Sequence, residues 1–207
     1  TSSDGWLRGE PGEIRRDFLV HDPWRPAPSH GLHLGAPYGF ADRSGIDDRA
    51  DVAVYTSPPL AHEAALCGTA RARLAIASDR PGFDLCCTLS MVSPDARAIA
   101  ITGGYLTVTD ASADGLIDVI LRPTMMTVPA GYRLRLSIQA AAFPAVAANP
   151  GTGRPAHLAE DQDAQVTTLM IGTGGEGGCR LTLPLLSPSS ILFQGDSISM
   201  KEGSTAT

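Results

Sequence analysis

No stretch of this chain repeats its apolar residues with a helical period over any length; they alternate with polar ones in short runs cut off by Pro and Gly. Successive side chains of a strand point to opposite faces, whereas a buried helix face needs a period of about 3.6 residues, so the pattern restricts the chain to β-structure. The organising run is Arg49-Ala50-Asp51-Val52-Ala53-Val54-Tyr55-Thr56-Ser57-Pro58-Pro59-Leu60. Val52, Val54 and Thr56 share one face, and Ala53, Tyr55 and Ser57 the other. Pro58-Pro59 ends the run, because proline has no N–H to give to a ladder. The cleanest alternation is Tyr132-Arg133-Leu134-Arg135-Leu136-Ser137-Ile138-Gln139, which follows the turn Pro129-Ala130-Gly131. Burying Leu134, Leu136 and Ile138 contributes roughly 1.5–3 kcal/mol each.

Further strands are predicted over 65–78, 83–92, 98–109, 116–121, 165–171 and 179–185. In the first of these Ala70, Ala72, Leu74 and Ile76 alternate with Thr69, Arg71, Arg73 and Ala75. Ser93-Pro94-Asp95-Ala96 closes the second, and Gly103-Gly104 marks a bulge or sharp bend in the third. Helix is expected only as a turn or two at 62–65 and 157–163. About eight antiparallel strands separated by Pro/Gly turns predict an all-β fold, a jelly-roll β-sandwich. Three regions follow. Residues 1–29 form an extended lead-in and a Pro-rich strap, pinned to the surface by Phe18 and Trp24. Residues 30–186 form the sandwich and begin with a long Gly-rich loop over 30–47. Residues 187–207 form a C-terminal tail.

A chain of 207 residues is long enough for one domain with its own core. The net charge of −6 is spread without a basic run, which excludes a nucleic-acid surface. No apolar run approaches the roughly 20 residues of a membrane helix. The chain opens at Thr1 rather than Met, as a processed or excised chain would. Cys86 and Cys87 are adjacent and face opposite ways on a strand, and with Cys67 and Cys179 they make neither a disulfide framework nor a zinc pattern. They read as small buried hydrophobes in a reducing compartment, so the expected location is cytoplasmic.

The chemistry is sparse. A Gly-x-Ser-x-Gly nucleophile elbow is lacking. The string Ile191-Leu192-Phe193-Gln194-Gly195-Asp196-Ser197-Ile198-Ser199 resembles the first block of the SGNH (GDSL) hydrolases, which makes Ser197 the one nucleophile candidate. A nucleophilic serine needs a base within reach, and no His follows Ser197. The string therefore opens a further SGNH domain or is chance, and no catalytic residue is assigned. His30 and His33 sit in the Gly-rich loop near Asp42, Asp47 and Asp48, but loop histidines are usually solvated, and neither a metal nor a cofactor is expected. Asp79 and Asp84 could hold calcium, yet such turns more often use Asp as a turn former. Arg71, Arg73, Arg133 and Arg135 line strand faces, either as solvated ion pairs or as an interface to a second domain.

Taken in order, the chain carries His21-Asp22-Pro23-Trp24-Arg25-Pro26-Ala27-Pro28, a Gly-rich loop, and Arg49-x-Asp51-Val52-x-Val54-Tyr55-Thr56-Ser57-x-Pro59-Leu60. Gly68, Phe83-Asp84, Pro94-Asp95, Pro129-Ala130-Gly131-Tyr132-Arg133-Leu134-Arg135-Leu136, Phe143-Pro144, Asn149-x-x-Thr152-Gly153 and Leu183-Pro184 follow. This ordered set, over about residues 17–186, resembles the C-terminal domain of the cocaine esterase / X-Pro dipeptidyl-peptidase / α-amino-acid ester hydrolase superfamily. The resemblance implies a galactose-binding-domain-like jelly roll that follows and packs on an α/β-hydrolase catalytic domain of the same parent chain. That other domain carries the Ser-His-Asp triad. It also implies that the loop before the organising strand, here Leu32, His33 and Leu34, lies at the active-site mouth and helps to shape the acyl or amine pocket. Association into a homo-oligomer stays open. The chain departs from the family's usual Asp-Val at Met91-Val92 and from its usual Asp-Gly at Asp95-Ala96. The alternatives are a freestanding carbohydrate- or ligand-binding module, disfavoured by an aromatic content of only 5%, and an accessory domain ahead of an SGNH esterase.

Overall fold

A computed structural model describes residues 4–110, 115–186 and 198–202. They form β1 (Asp4–Arg8), β2 (Arg15–His21), α1 (Ser44–Asp47), β3 (Val52–Thr56), β4 (Ala64–Gly68), β5 (Arg71–Ser78), β6 (Phe83–Val92) and β7 (Ala98–Val108). Then come β8 (Gly115–Ile120), β9 (Thr124–Val128), β10 (Arg133–Gln139), β11 (Thr167–Thr173), β12 (Cys179–Leu183) and β13 (Ile198–Glu202). The fold is a β-sandwich. The first layer runs β1-β3-β10-β6-β7. The second is built around β5, with β8 on one edge and β11 and β12 following each other along the other; β2 flanks β11, and β13 flanks β12. β1 pairs with both β3 and β13 and so joins the layers at one side. β4 and β9 form a separate two-stranded ribbon.

The inner faces supply the core. Tyr55, Leu85, Cys87, Leu89, Leu136 and Ile138 come from the first layer and Leu19, Leu74, Ile76, Leu169, Ile171 and Leu181 from the second, with Leu66 and Val128 closing one side. The first layer is buried on its outer face as well. Val52, Val54, Cys86, Thr88, Ser90, Ser137 and Gln139 all lie inside, under the segment 22–50. That segment is stitched down by the bridges Asp42–Ile99 and Pro28–Phe143 and by Arg43 N–H to Ala98 O (2.7 Å).

Several expectations change. There are thirteen strands among the described residues rather than about eight, and β1–β3, β1–β13 and β12–β13 are parallel. The predicted strand over 65–78 is two, because Gly68 takes φ 128 and turns the chain from the ribbon into the second layer. Within the expected lead-in and strap, β2 pairs with β11 along its whole length. Strand alternation there sends Leu19 and His21 inward and Phe18 outward, so Phe18 and Trp24, each 60% exposed, do not pin the strap; Leu19, His21 and Ala27 do. The bulge of the β6–β7 hairpin falls at Ile101, since Leu89 faces Thr102 while Ser90 faces Ala100. Gly104 is small for another reason: a Cβ there would sit 2.3 Å from Ile120 O. No helix forms at 62–65. α1 appears instead inside the expected loop, and 3₁₀ turns occupy Ala156–Leu158 and Asp161–Asp163.

Candidate functional site

Residues 30–40 rise from the outer face of the first layer as a clamped loop. Leu32 N–H donates to Gly39 O (2.6 Å) and Gly39 N–H to Leu32 O (2.8 Å), which closes the neck. Leu32 holds φ 56, an unusual backbone for a branched side chain, and its Cδ1 lies against Gly103 of β7. Gly35 packs so tightly on the Ser29 carbonyl that a Cβ would fall 2.6 Å from it. Only about 10 Å³ remains between loop and sheet, no more than one water could use. What the loop offers is therefore its crown. Leu32, His33 and Leu34 are half-buried, and beside them Tyr38 and Phe40 are 76% and 61% exposed. Burial, with the nearby Arg122 charge adding, pushes the His33 pKa below its ordinary value, so the ring is neutral at pH 7.

Beneath the loop lies a polar cluster. Arg43 and Asp47 are each 2% exposed. Arg43 donates to Gln139 Oε1 (2.9 Å) and His30 O (3.5 Å), tying β10 to the base of the loop. Gln139 in turn donates to Pro28 O (3.3 Å) and Ala141 O (2.6 Å). Asp47, presented by α1, accepts from Ser137 Oγ (2.8 Å) and faces Arg43 Nε at 3.6 Å and Arg135 at 3.4 Å. A buried carboxylate between two guanidiniums satisfies charges that would otherwise be prohibitive to bury.

The other sequence candidates scatter. His30 and His33 do not converge with Asp47, which is held by arginines, or with Asp42, whose pKa the Ser44 hydroxyl and N–H and then Arg97 pull down to about 2. Among the described residues no group of three His, Cys, Asp or Glu is placed to hold a metal. Asp79 accepts from Thr168 N–H (2.7 Å), and Asp84 is buried against Asn149 Nδ2 (2.9 Å). Arg71 and Arg73 share Asp118 at the surface. Ser197 lies outside the described residues. The Arg43–Asp47–Gln139 cluster was not read from the sequence. Its signal is present all the same: Ser137 and Gln139 continue an outward face that bears two arginines, and Arg43 stands four residues before Asp47.

Residues 16–177 match the family of X-Pro dipeptidyl-peptidase C-terminal non-catalytic domains. The chain is 28% identical over 191 residues to the cocaine esterase of Rhodococcus sp. (strain MB1 Bresler), covering 84% of this chain and 33% of that one. Its fold is similar to that of an aminopeptidase from a marine sediment Thaumarchaeota archaeon (TM-score 0.75, 19% identity), covering 86% of this chain and 34% of the other. An α-amino acid ester hydrolase gives the same TM-score and identity, 0.75 and 19%, over 89% of this chain and 36% of its own. The chain thus spans about a third of the length of these relatives. With the β-sandwich, the clamped loop and this match over most of its length, the chain belongs to the X-Pro dipeptidyl-peptidase C-terminal non-catalytic domain family.

Proposed function

We propose that this domain packs on an α/β-hydrolase domain of the same parent chain and that residues 30–40 border the mouth of that domain's active site. The parent is then a serine hydrolase of the peptidase or ester-hydrolase type, and Leu32, His33 and Leu34 form part of the wall of its acyl or amine pocket. The observation that carries this reading is the loop itself. Its base is immobilised by Arg43, Gln139 and the Leu32–Gly39 bridge, while its crown presents apolar side chains to the outside. A wall that selects substrates by shape needs such support, because a loosely held side chain positions nothing. The neutral ring of His33 adds no charge to an apolar pocket. The unpaired cysteines support a reducing, cytoplasmic setting.

The test is kinetic. In the parent enzyme Leu34→Ala and His33→Ala are expected to change kcat/KM by tenfold or more for some members of a series of esters or dipeptide amides graded in acyl size, and little for others. The 207-residue chain by itself is expected to hydrolyse p-nitrophenyl acetate at the background rate. Parallel changes across the whole substrate series, or none, would remove the loop from the pocket.

A further inference from the structure

A second site lies on the same outer face, at the opposite end of β10 from the loop. A cleft of about 280 Å³ opens between β1, the end of β3 and the β6–β7 hairpin, and Trp6, Thr56, Ser93, Ala96, Arg133 and Arg135 line it. Arg133 and Arg135 stand two residues apart on one strand, so both guanidiniums face the cleft side of the sheet. Arg133 is held through one nitrogen and Arg135 through two. Arg133 donates to Ser57 O (3.0 Å) and, among the described residues, forms no ion pair. Arg135 donates to Thr56 Oγ1 (3.0 Å) and lies 3.4 Å from Asp47. Asp47 already serves Arg43 and Ser137. Asp95, on the hairpin, accepts from the Ser93 hydroxyl. Asp47 therefore divides its charge between Arg43 and Arg135, and Arg133 brings to the cleft a guanidinium in fixed orientation that no carboxylate of the described residues pairs. On its other side is the Trp6 ring, with the Arg8 guanidinium 5.4 Å from the ring centroid.

We propose that this cleft is a carboxylate-binding site, in which Arg133 and Arg135 grip the anion and Trp6 covers the carbon skeleton that bears it. Guanidinium forks match the two oxygens of a carboxylate, and an indole face provides the apolar contact that a bare inorganic anion would not use. Two sources share this chemistry: a free organic acid, and a Glu or Asp side chain of the remainder of the parent chain. Only the second rests on the proposed function.

The test follows the Trp6 indole N–H by NMR, assigned with Trp6→Phe, as the 207-residue chain is titrated with benzoate and, separately, with an equal concentration of sodium chloride. A saturable shift with benzoate and none with chloride is expected. Arg133→Gln should raise the dissociation constant at least tenfold, Arg133→Lys should fall between, and Arg71→Gln, on the opposite layer, should leave it unchanged. The amide spectrum of each variant reports whether it has folded, and the wild-type titration stands even if Arg133→Gln has not. Absence of saturable binding to the wild type, or equal affinity in folded Arg133→Gln, overturns the proposal. Repeating the titration on the parent chain identifies the source: a site still open takes free acids, and a site blocked until Arg133-dependent domain contacts are broken takes an acidic side chain. A parent without a hydrolase domain would remove the proposed function while leaving the isolated-chain titration intact.

Discussion

Tyr55 Oη donates to Asp17 Oδ2 across the sandwich at 2.9 Å. The phenol starts from β3 in the first layer, crosses the core fully buried, and ends on a half-buried carboxylate of β2 in the second. Burial, then the Asp17 charge, pushes the Tyr55 pKa well above its ordinary value, so the hydroxyl remains a donor at neutral pH. The organising strand and a segment expected to be a mere strap are thereby locked to each other.

Tyr55→Phe keeps the ring and deletes the bond. Hydrogen bonds to charged groups contribute about 1.5–3 kcal/mol. Asp17 can recover water, which places the expected loss at the low end, about 1.5 kcal/mol in urea unfolding. An unchanged midpoint would mean the layers hold without this link.

Asp47→Asn should be far more costly, since it leaves the buried Arg43, with the partly buried Arg135 beside it, against an uncharged amide. Breaking a buried pair by removing one partner costs about 3–5 kcal/mol. Asp118→Asn supplies the contrast. Asp118 also meets two arginines, but its side chain is 30% exposed and those of Arg71 and Arg73 are about half exposed, so the loss should stay below about 1 kcal/mol. Guanidinium unfolding of the two variants side by side measures the difference. Equal losses would contradict the burial argument.

The contrast also shows what could be read from the chain. Alternation correctly placed Leu134, Leu136 and Ile138 of β10 in the core, because they obey a local rule. The outer face of the first layer was harder. Ser137 and Gln139 look solvated, and they are buried only because Asp47, ninety residues earlier, and Arg43 lie on top of them. α1, which presents Asp47, is four residues long and leaves no periodicity to detect. Gly103 and Gly104 suggested a bulge, whereas the reason for their size is the approach of Leu32 and Ile120 from distant parts of the chain. Leu32, His33 and Leu34 were picked out by resemblance alone; nothing local announces a clamp made by Gln139, a hundred residues on.

Alkaline pH should unfold the domain through its thiols. Burial raises Cys86 from 9.0 to about 11 and Cys179 to about 12, and carries Cys87 upward as well. The sign follows from linkage. The unfolded chain loses these protons first, so the stability they contribute is complete below about pH 9 and is lost as pH rises towards the folded values. Each such thiol removes about 1.4 kcal/mol per pH unit in that window. Three together should cost about 4 kcal/mol between pH 8 and pH 10, read from denaturation midpoints. Cys86→Ala should reduce the slope by about a third. A flat profile across that range would show that the thiols ionise freely in the folded state.

Ala96 sits at the tip of the β6–β7 hairpin with φ 67. The turn itself is sound: Ala96 N–H donates to Ser93 O (2.9 Å) and Ser93 N–H to Arg97 O (3.0 Å), and none of these atoms belongs to the methyl group. An L-residue in the left-handed region costs roughly 1–2 kcal/mol. Glycine removes that cost but frees the unfolded chain by about 0.4–1 kcal/mol. The balance favours Ala96→Gly by about 0.5–1 kcal/mol, equivalent to about 1–4 °C in melting temperature for a domain of this size. The substitution also takes a methyl group from the wall of the arginine cleft, so the melt is best run in a buffer without carboxylate. A lower melting temperature would mean that the methyl contributes more by packing on its neighbours than its backbone conformation costs.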